Sequence, residues 1–109
     1  MEKHQITVDG EPDIRFTGEL VASTSTSGDN GMRNFSGSAG RWTELELYRT
    51  QGGKFVCSQV GRTQWQGERD RHAGKVCQTE AEVIEFFGHG RLAKDLYDEA
   101  DIDYAIDVD

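Results

Sequence analysis

Nothing in this sequence approaches eighteen apolar residues in a row, so no segment reads as a membrane-spanning helix. No apolar stretch follows Met1-Glu2-Lys3-His4, so a secretory leader is not expected and the cytoplasm is the expected location. Two cysteines, Cys57 and Cys77, are too few for a disulfide framework, and reduced thiols are the default. The twelve Lys and Arg residues are scattered singly. A phosphate backbone demands a basic stripe, and without one direct nucleic-acid binding is not expected. Apolar residues are scarce too: Leu, Ile, Val and Phe make 22 of 109 residues, near the roughly 20% level below which chains tend towards disorder. A single domain over 1–109 with a thin core is the expectation.

What the chain does have is charge at one end. Residues 95–109 hold seven of the twenty acidic residues and no basic one, so the net charge of −8 sits almost entirely there. The same end is patterned. From Asp101 to Asp109 the even positions are apolar and the odd ones acidic, except for Ala105. Period-two alternation predicts an acidic strand over 101–109. Three roles suit it. It is an edge strand of the chain's own sheet, with the aspartates guarding against aggregation. It is a strand added to another subunit or partner. Or its carboxylates imitate DNA phosphates and occupy a DNA-binding protein's basic groove, an encounter that long-range attraction accelerates.

Upstream, Gln5-Ile6-Thr7-Val8 reads as a short strand, followed by the turn signal Asp9-Gly10 and by Pro12, which limits pairing at the next strand's start. A second strand runs from Ile14 to Ser23, with a bulge expected at Gly18. Residues 23–40 are Ser/Gly-rich with only Met32 and Phe35 as sizeable apolar side chains, which predicts a flexible loop, either a plain hairpin connection or a binding loop with Phe35 as its anchor. A β-hairpin spans Arg41 to Trp65 around Gly52-Gly53, read as a two-residue type I′ turn that pairs Gln51 with Lys54. That register faces Leu47 to Ser58 and Tyr48 to Cys57. It puts Leu45, Leu47, Val56 and Val60 towards the core, and leaves Trp42, Tyr48 and Phe55 as an aromatic cluster or patch on the other side. A further strand carries His72, Lys75, Val76 and Cys77. Thr79-Glu80-Ala81-Glu82 matches a helix capping box, Gly88 stops that helix, and Leu92, Leu96 and Ala100 mark a second helical stripe widened by Ala93 and Tyr97. Strands first and helices afterwards predict an α+β fold: an antiparallel β-meander of four to six strands covered on one face by two C-terminal helices.

The blocks Arg15-Phe16-Thr17-Gly18-Glu19-Leu20-Val21-Ala22, Trp42 to Val56 with Tyr48-Arg49-Thr50 ahead of its glycines, and Gly90-Arg91-Leu92-Ala93-Lys94-Asp95-Leu96-Tyr97 resemble the EXLDI family of bacterial proteins. That family ends in an acidic motif, which Ala105-Ile106-Asp107-Val108 approximates; it commonly carries a helical N-terminal segment, which the residues before Arg15 are not expected to supply. The resemblance implies an α+β fold and a bacterial or mobile-element origin, and it brings no chemistry to any residue.

Chemistry-bearing constellations are few. Cys57, His72, Cys77 and His89 show no metal-ligand spacing, and the tail lacks the Gly and Glu of a calcium loop. No cofactor or metal is expected. There is no nucleophile elbow and no strand-to-helix phosphate cradle. The expectation is a non-catalytic accessory protein, an inhibitor or adaptor acting on a basic protein partner, with nucleic-acid-handling proteins as one such class. Asp95, Asp98, Glu99, Asp101, Asp103, Asp107 and Asp109 would supply charge, and Trp42 and Tyr48 apolar anchors. Homodimerisation through the C-terminal strand is a second mode of assembly. The rival is a small enzyme or ligand-binding domain with a pocket between sheet and helices, converging on His72, Glu44 and Cys57.

Overall fold

A computed structural model of the chain describes residues 1–26, 41–65 and 67–108. Five strands form one antiparallel sheet in the order β1-β2-β3-β4-β5: β1 Glu2–Ile6, β2 Ile14–Ser25, β3 Arg41–Thr50, β4 Phe55–Thr63 and β5 Arg71–Cys77. Two helices follow, α1 Glu80–Phe87 and α2 Arg91–Ala100. This is the expected α+β meander with its helices at the C-terminal end. Neither helix is long and apolar enough to cross a membrane.

The sheet is curled, and the β1–β2 turn brings its two ends together. The Asp9 amide donates to the His72 carbonyl on β5 at 2.9 Å, and the His72 amide donates to Asp9 Oδ2 at 2.8 Å. Ile6 and Val8 reach Gly74, where any β-carbon would meet both side chains at 3.0 Å. The sheet therefore buries two apolar faces. One packs beneath the helices and holds Leu45, Leu47, Phe55, Cys57 and Cys77 with Val83, Leu96 and Tyr97. The other lies inside the curl and holds Ile6, Tyr48 and Val56 with Ile14 and Phe16. His4 packs there as well, with its ring 5.2 Å from Phe16 and 4.8 Å from Tyr48 and its Nε2 buried without a partner among the described residues.

The hairpin register differs from expectation by one residue. Leu47 faces Cys57 and Tyr48 faces Val56. The loop holds three residues, Gln51-Gly52-Gly53, and of its two glycines only Gly53 has a positive φ, at +90°. The Gly53 amide donates to the Thr50 carbonyl at 3.0 Å, and the Thr50 hydroxyl accepts the Lys54 amide at 2.9 Å. That is a three-residue connection closed by a left-handed glycine, not a type I′ turn. Because side chains alternate, a one-residue shift moves every β4 residue to the opposite face. Phe55 and Cys57 thus join Leu45 and Leu47 beneath the helices, while Val56 turns into the curl. The proposed Trp42, Tyr48 and Phe55 patch is divided between two faces.

Two further expectations are corrected. The bulge in β2 falls between Leu20 and Ala22, not at Gly18. Gly18 pairs with Thr50, and a β-carbon there would lie 2.3 Å from the Arg49 carbonyl oxygen, so the position serves close approach of two backbones. The acidic alternation at the C-terminus does not form a strand: residues 102–108 have no regular secondary structure. Ile102 is buried in the helix-side core and Tyr104 packs against Tyr97 at 5.5 Å. In-chain packing at the start of this segment replaces in-sheet pairing. Most of the predicted loop, including Phe35, lies outside the described residues, as do Gln66 and Asp109.

The helix signals read as expected, with one change. The Thr79 hydroxyl accepts the Glu82 amide at 3.2 Å, but the Glu82 carboxylate reaches back to the Gln78 amide (3.0 Å), one residue beyond the usual reciprocal contact. Gly88, at φ +82°, ends α1 with its amide on the Ile84 carbonyl. Ala93, Leu96 and Tyr97 form the fully buried stripe of α2.

Candidate functional site

Two charged regions occupy different parts of the molecule. The first is α2 and the segment after it. Asp95, Asp98, Glu99, Asp101, Asp103 and Asp107 are all exposed. Three of them also build local structure. Glu99 Oε1 accepts the Ser23 amide of β2 at 2.6 Å, Asp98 Oδ1 accepts the Tyr104 hydroxyl at 3.2 Å, and Asp103 Oδ1 accepts the Ala105 amide at 3.0 Å. Asp101 caps α2 in the left-handed conformation, at φ +59°. An aspartate tolerates that region better than most side chains but less well than glycine. Beyond Tyr104, Ile106 and Val108 stand 84% and 86% exposed.

The charges on α2 run against its dipole. Arg91 and Lys94 occupy its first turn, while Asp98, Glu99 and the cap Asp101 gather at its C-terminal end, where no basic residue offsets them. The C-terminal end of a helix carries about half a negative charge, and each acid placed there is disfavoured by roughly 0.3–1 kcal/mol at low ionic strength.

The second region is a mouth formed where the ends of β3 and β4 meet the β4–β5 connection. A cavity of about 1050 Å³ opens there, lined by Asp9, Arg41, Trp42, Arg62, Glu68 and Asp70 among others. The register assembles it from residues far apart in sequence: Trp42 faces Arg62 and Arg41 faces Thr63. Arg62 bridges two carboxylates, with Nε on Glu44 at 3.0 Å and Nη1 on Asp70 at 3.1 Å. Asp70 also accepts the Thr63 amide at 3.1 Å. The Thr63 hydroxyl donates to Glu68 at 2.7 Å, and Glu68 takes a two-point contact from Arg41. The Trp42 indole N–H donates to Glu44 at 2.9 Å.

These contacts hold the mouth's carboxyls below their ordinary range. Glu68 is pushed down to about 2 by the Arg41 hydrogen bonds and then the Thr63 hydroxyl. Glu44 is lowered first by the Trp42 indole and then by Arg62, and Asp70 first by the Thr63 amide and then by Arg62. A carboxyl whose value is depressed on folding contributes stability above its unfolded value of about 4, and that contribution is lost as pH falls through the folded value. Lowering the pH from 5 towards 2 is therefore expected to loosen the mouth and lower the melting temperature. Arg62→Gln, which leaves Glu44 and Asp70 without their shared cation, should show a shallower fall. Thermal melts across that pH window decide it, and equal slopes for the two proteins would contradict the assignment.

The two anchors expected from the sequence part company. Tyr48 is only 8% exposed, inside the curl, with its hydroxyl donating to Glu46 at 2.9 Å. Trp42 is half-buried and belongs to the mouth through Glu44. The convergence expected for a pocket between sheet and helices does not form either. Glu44 and His72 both neighbour Val60 on the curl side, whereas Cys57 lies beneath the helices. The space between sheet and helices is filled by Leu47, Phe55, Leu96 and Tyr97. Cys57 and Cys77 do meet, Sγ to Sγ at 3.7 Å, as buried free thiols whose ionisation burial pushes upwards. Among the described residues no three His, Cys, Asp or Glu side chains group as a metal ion would need.

The mouth itself was missed in the sequence. Arg41, Arg62 and Glu68 carry no spacing motif; only the hairpin register unites them. No family model, curated protein or solved structure matches the chain.

Proposed function

We propose that the chain is a non-catalytic binding protein that engages a basic protein partner in the cytoplasm through α2 and residues 101–108, as an inhibitor or adaptor. One observation carries this reading: Asp95, Asp98, Glu99, Asp101, Asp103 and Asp107 all stand exposed in one stretch without a basic residue, and those on α2 gather at the helix end where the dipole disfavours them. The segment beyond the helix fits the same role. Its exposed Ile106 and Val108 alternate with exposed aspartates, which suits an extended strand laid along a partner's sheet edge. The likeness to the EXLDI family is likewise proposed, on the sequence blocks that bear it.

The test is a pull-down from the native host with the wild-type protein and with Asp101→Asn/Asp103→Asn/Asp107→Asn. Asparagine keeps the left-handed cap tolerable, so folding should survive, and the melting temperature should hold or rise because repulsion at the helix end is relieved. A partner that binds wild type and is lost from the variant is the expected result. An unchanged set of partners would remove the proposal.

A further inference from the structure

We propose that residues 103–108 of one copy add as a sixth strand to the outer edge of β5 in a second copy, giving a reciprocal dimer. This rests on the reading of the C-terminal segment as a donated strand, for which a second copy and the basic partner would compete. The acceptor is defined by backbone geometry. On β5 the amide and carbonyl of His72 point away from β4, and both are taken by Asp9. Gly74 and Val76 follow at the same parity, so their amides and carbonyls point the same way. Among the described residues nothing in the chain pairs with them. The next stop is Gln78, whose amide is held by Glu82 at 3.0 Å. The open edge is thus bounded by Asp9 at one end and Glu82 at the other. It bears an apolar side chain, Val76, that is 43% exposed. Unpaired edges of this kind are templates for another strand.

The side chains match on both faces. On the helix side β5 presents Arg71, Ala73 and Lys75, all exposed, with no acid between Arg71 and Cys77. The segment presents Asp103, Ala105 and Asp107 at one parity. Two cations four residues apart, with an alanine between, meet two anions at the same spacing with an alanine between. The pattern is symmetric, so it fits either strand direction. On the opposite side β5 offers His72, Gly74 and Val76, and the segment offers Ile106 and Val108, while Tyr104 stays packed on Tyr97 at its root. The exposed apolar side chains of both strands would then cover one another beside Ile6 and Val8, which already lie against Gly74. Opposite charges directly across a strand pair stabilise it and like charges destabilise it. Two-fold exchange satisfies both edges at once, and a closed dimer results.

Light scattering and sedimentation across a concentration series test this with charge-swapped variants. Wild type should dimerise, more weakly at high salt. Arg71→Glu/Lys75→Glu alone and Asp103→Lys/Asp107→Lys alone should each weaken the dimer by about tenfold or more, because each sets like charges face to face. Mixed in equal amounts, the two variants should recover a heterodimer, since each now supplies the complement of the other. A wild type that stays monomeric throughout, or a mixture that does not recover, overturns the dimer. The binding function stands or falls separately, on whether its partner is lost from the Asn variant in the pull-down.

Discussion

Gly18→Ala is expected to unfold the protein at ordinary temperatures, or to lower its melting temperature by roughly 10–20 °C, through a loss of about 3 kcal/mol or more. The reason is not backbone freedom, since Gly18 does not adopt a positive φ. It is distance. A β-carbon at this position would lie 2.3 Å from the Arg49 carbonyl oxygen and 2.9 Å from the Thr50 α-carbon. Both obstacles are backbone, so no rotamer change relieves them. The neighbourhood is also tied down. Gly18 pairs with Glu2 on one side and Thr50 on the other, and the adjacent Thr17 carbonyl accepts the Gln51 amide at 2.8 Å. Relief would require β2 and β3 to part beside the hairpin loop. A domain of this kind has total stability of only about 5–15 kcal/mol, so a clash between central strands consumes much of it. Gly52→Ala is the control: its β-carbon would meet nothing closer than 4.0 Å, and denaturation should place it within roughly 0.5 kcal/mol of wild type. A Gly18→Ala protein melting within a few degrees of wild type would show that the two strands separate more easily than their pairing implies.

The glycines show what the sequence does and does not reveal. Gly88 was legible as a helix stop because capping is local and follows from its neighbours. Gly18 was legible only as an interruption of a strand, because the backbone it accommodates belongs to Thr50, thirty-two positions on. The hairpin failed for a related reason. Gly52-Gly53 invites a two-residue turn, but the Thr50 side chain closes a three-residue one, and that hydroxyl leaves no mark in the periodicity. One residue of slip then exchanged the faces of Val56 and Cys57. The contact of Cys57 with Cys77 likewise follows from the β4–β5 register, which puts both on the helix side. The acidic terminus was legible as charge and alternation, but not as structure. Alternation states which face each residue would take if a strand forms; it does not supply the neighbour with which to form one. Its absence from the chain's own sheet leaves Ile106 and Val108 uncovered, which is why the segment reads as a donor.

Tyr97→Ala is expected to cost about 3–5 kcal/mol, comparable to other large-to-small changes at buried aromatic positions. Tyr97 is fully buried on α2 and lies in the same core as Leu96, Val83 and Leu47. Its hydroxyl donates to the Gly88 carbonyl at 2.7 Å, satisfying an acceptor at the capped end of α1 and binding the two helices together. Tyr97→Phe isolates that bond. It keeps the ring and leaves the carbonyl without its partner, which should cost about 1–2 kcal/mol. The hydroxyl also gives an alkaline signature. Burial pushes the Tyr97 phenol up to about 12, and burial followed by the Glu46 carboxylate does the same for Tyr48. The unfolded chain releases these protons near pH 10 while the folded chain still holds them, so stability is full below about pH 10 and falls as pH rises towards 12. Melting curves between pH 8 and 12 should fall less steeply for Tyr97→Phe than for wild type; identical slopes would mean that the phenol ionises without unfolding. The same ring supports Tyr104, at the root of the extended segment. Tyr97→Ala should therefore loosen residues 102–108 before the sheet unfolds, detectable as faster amide exchange there, and should weaken partner capture with the acids untouched.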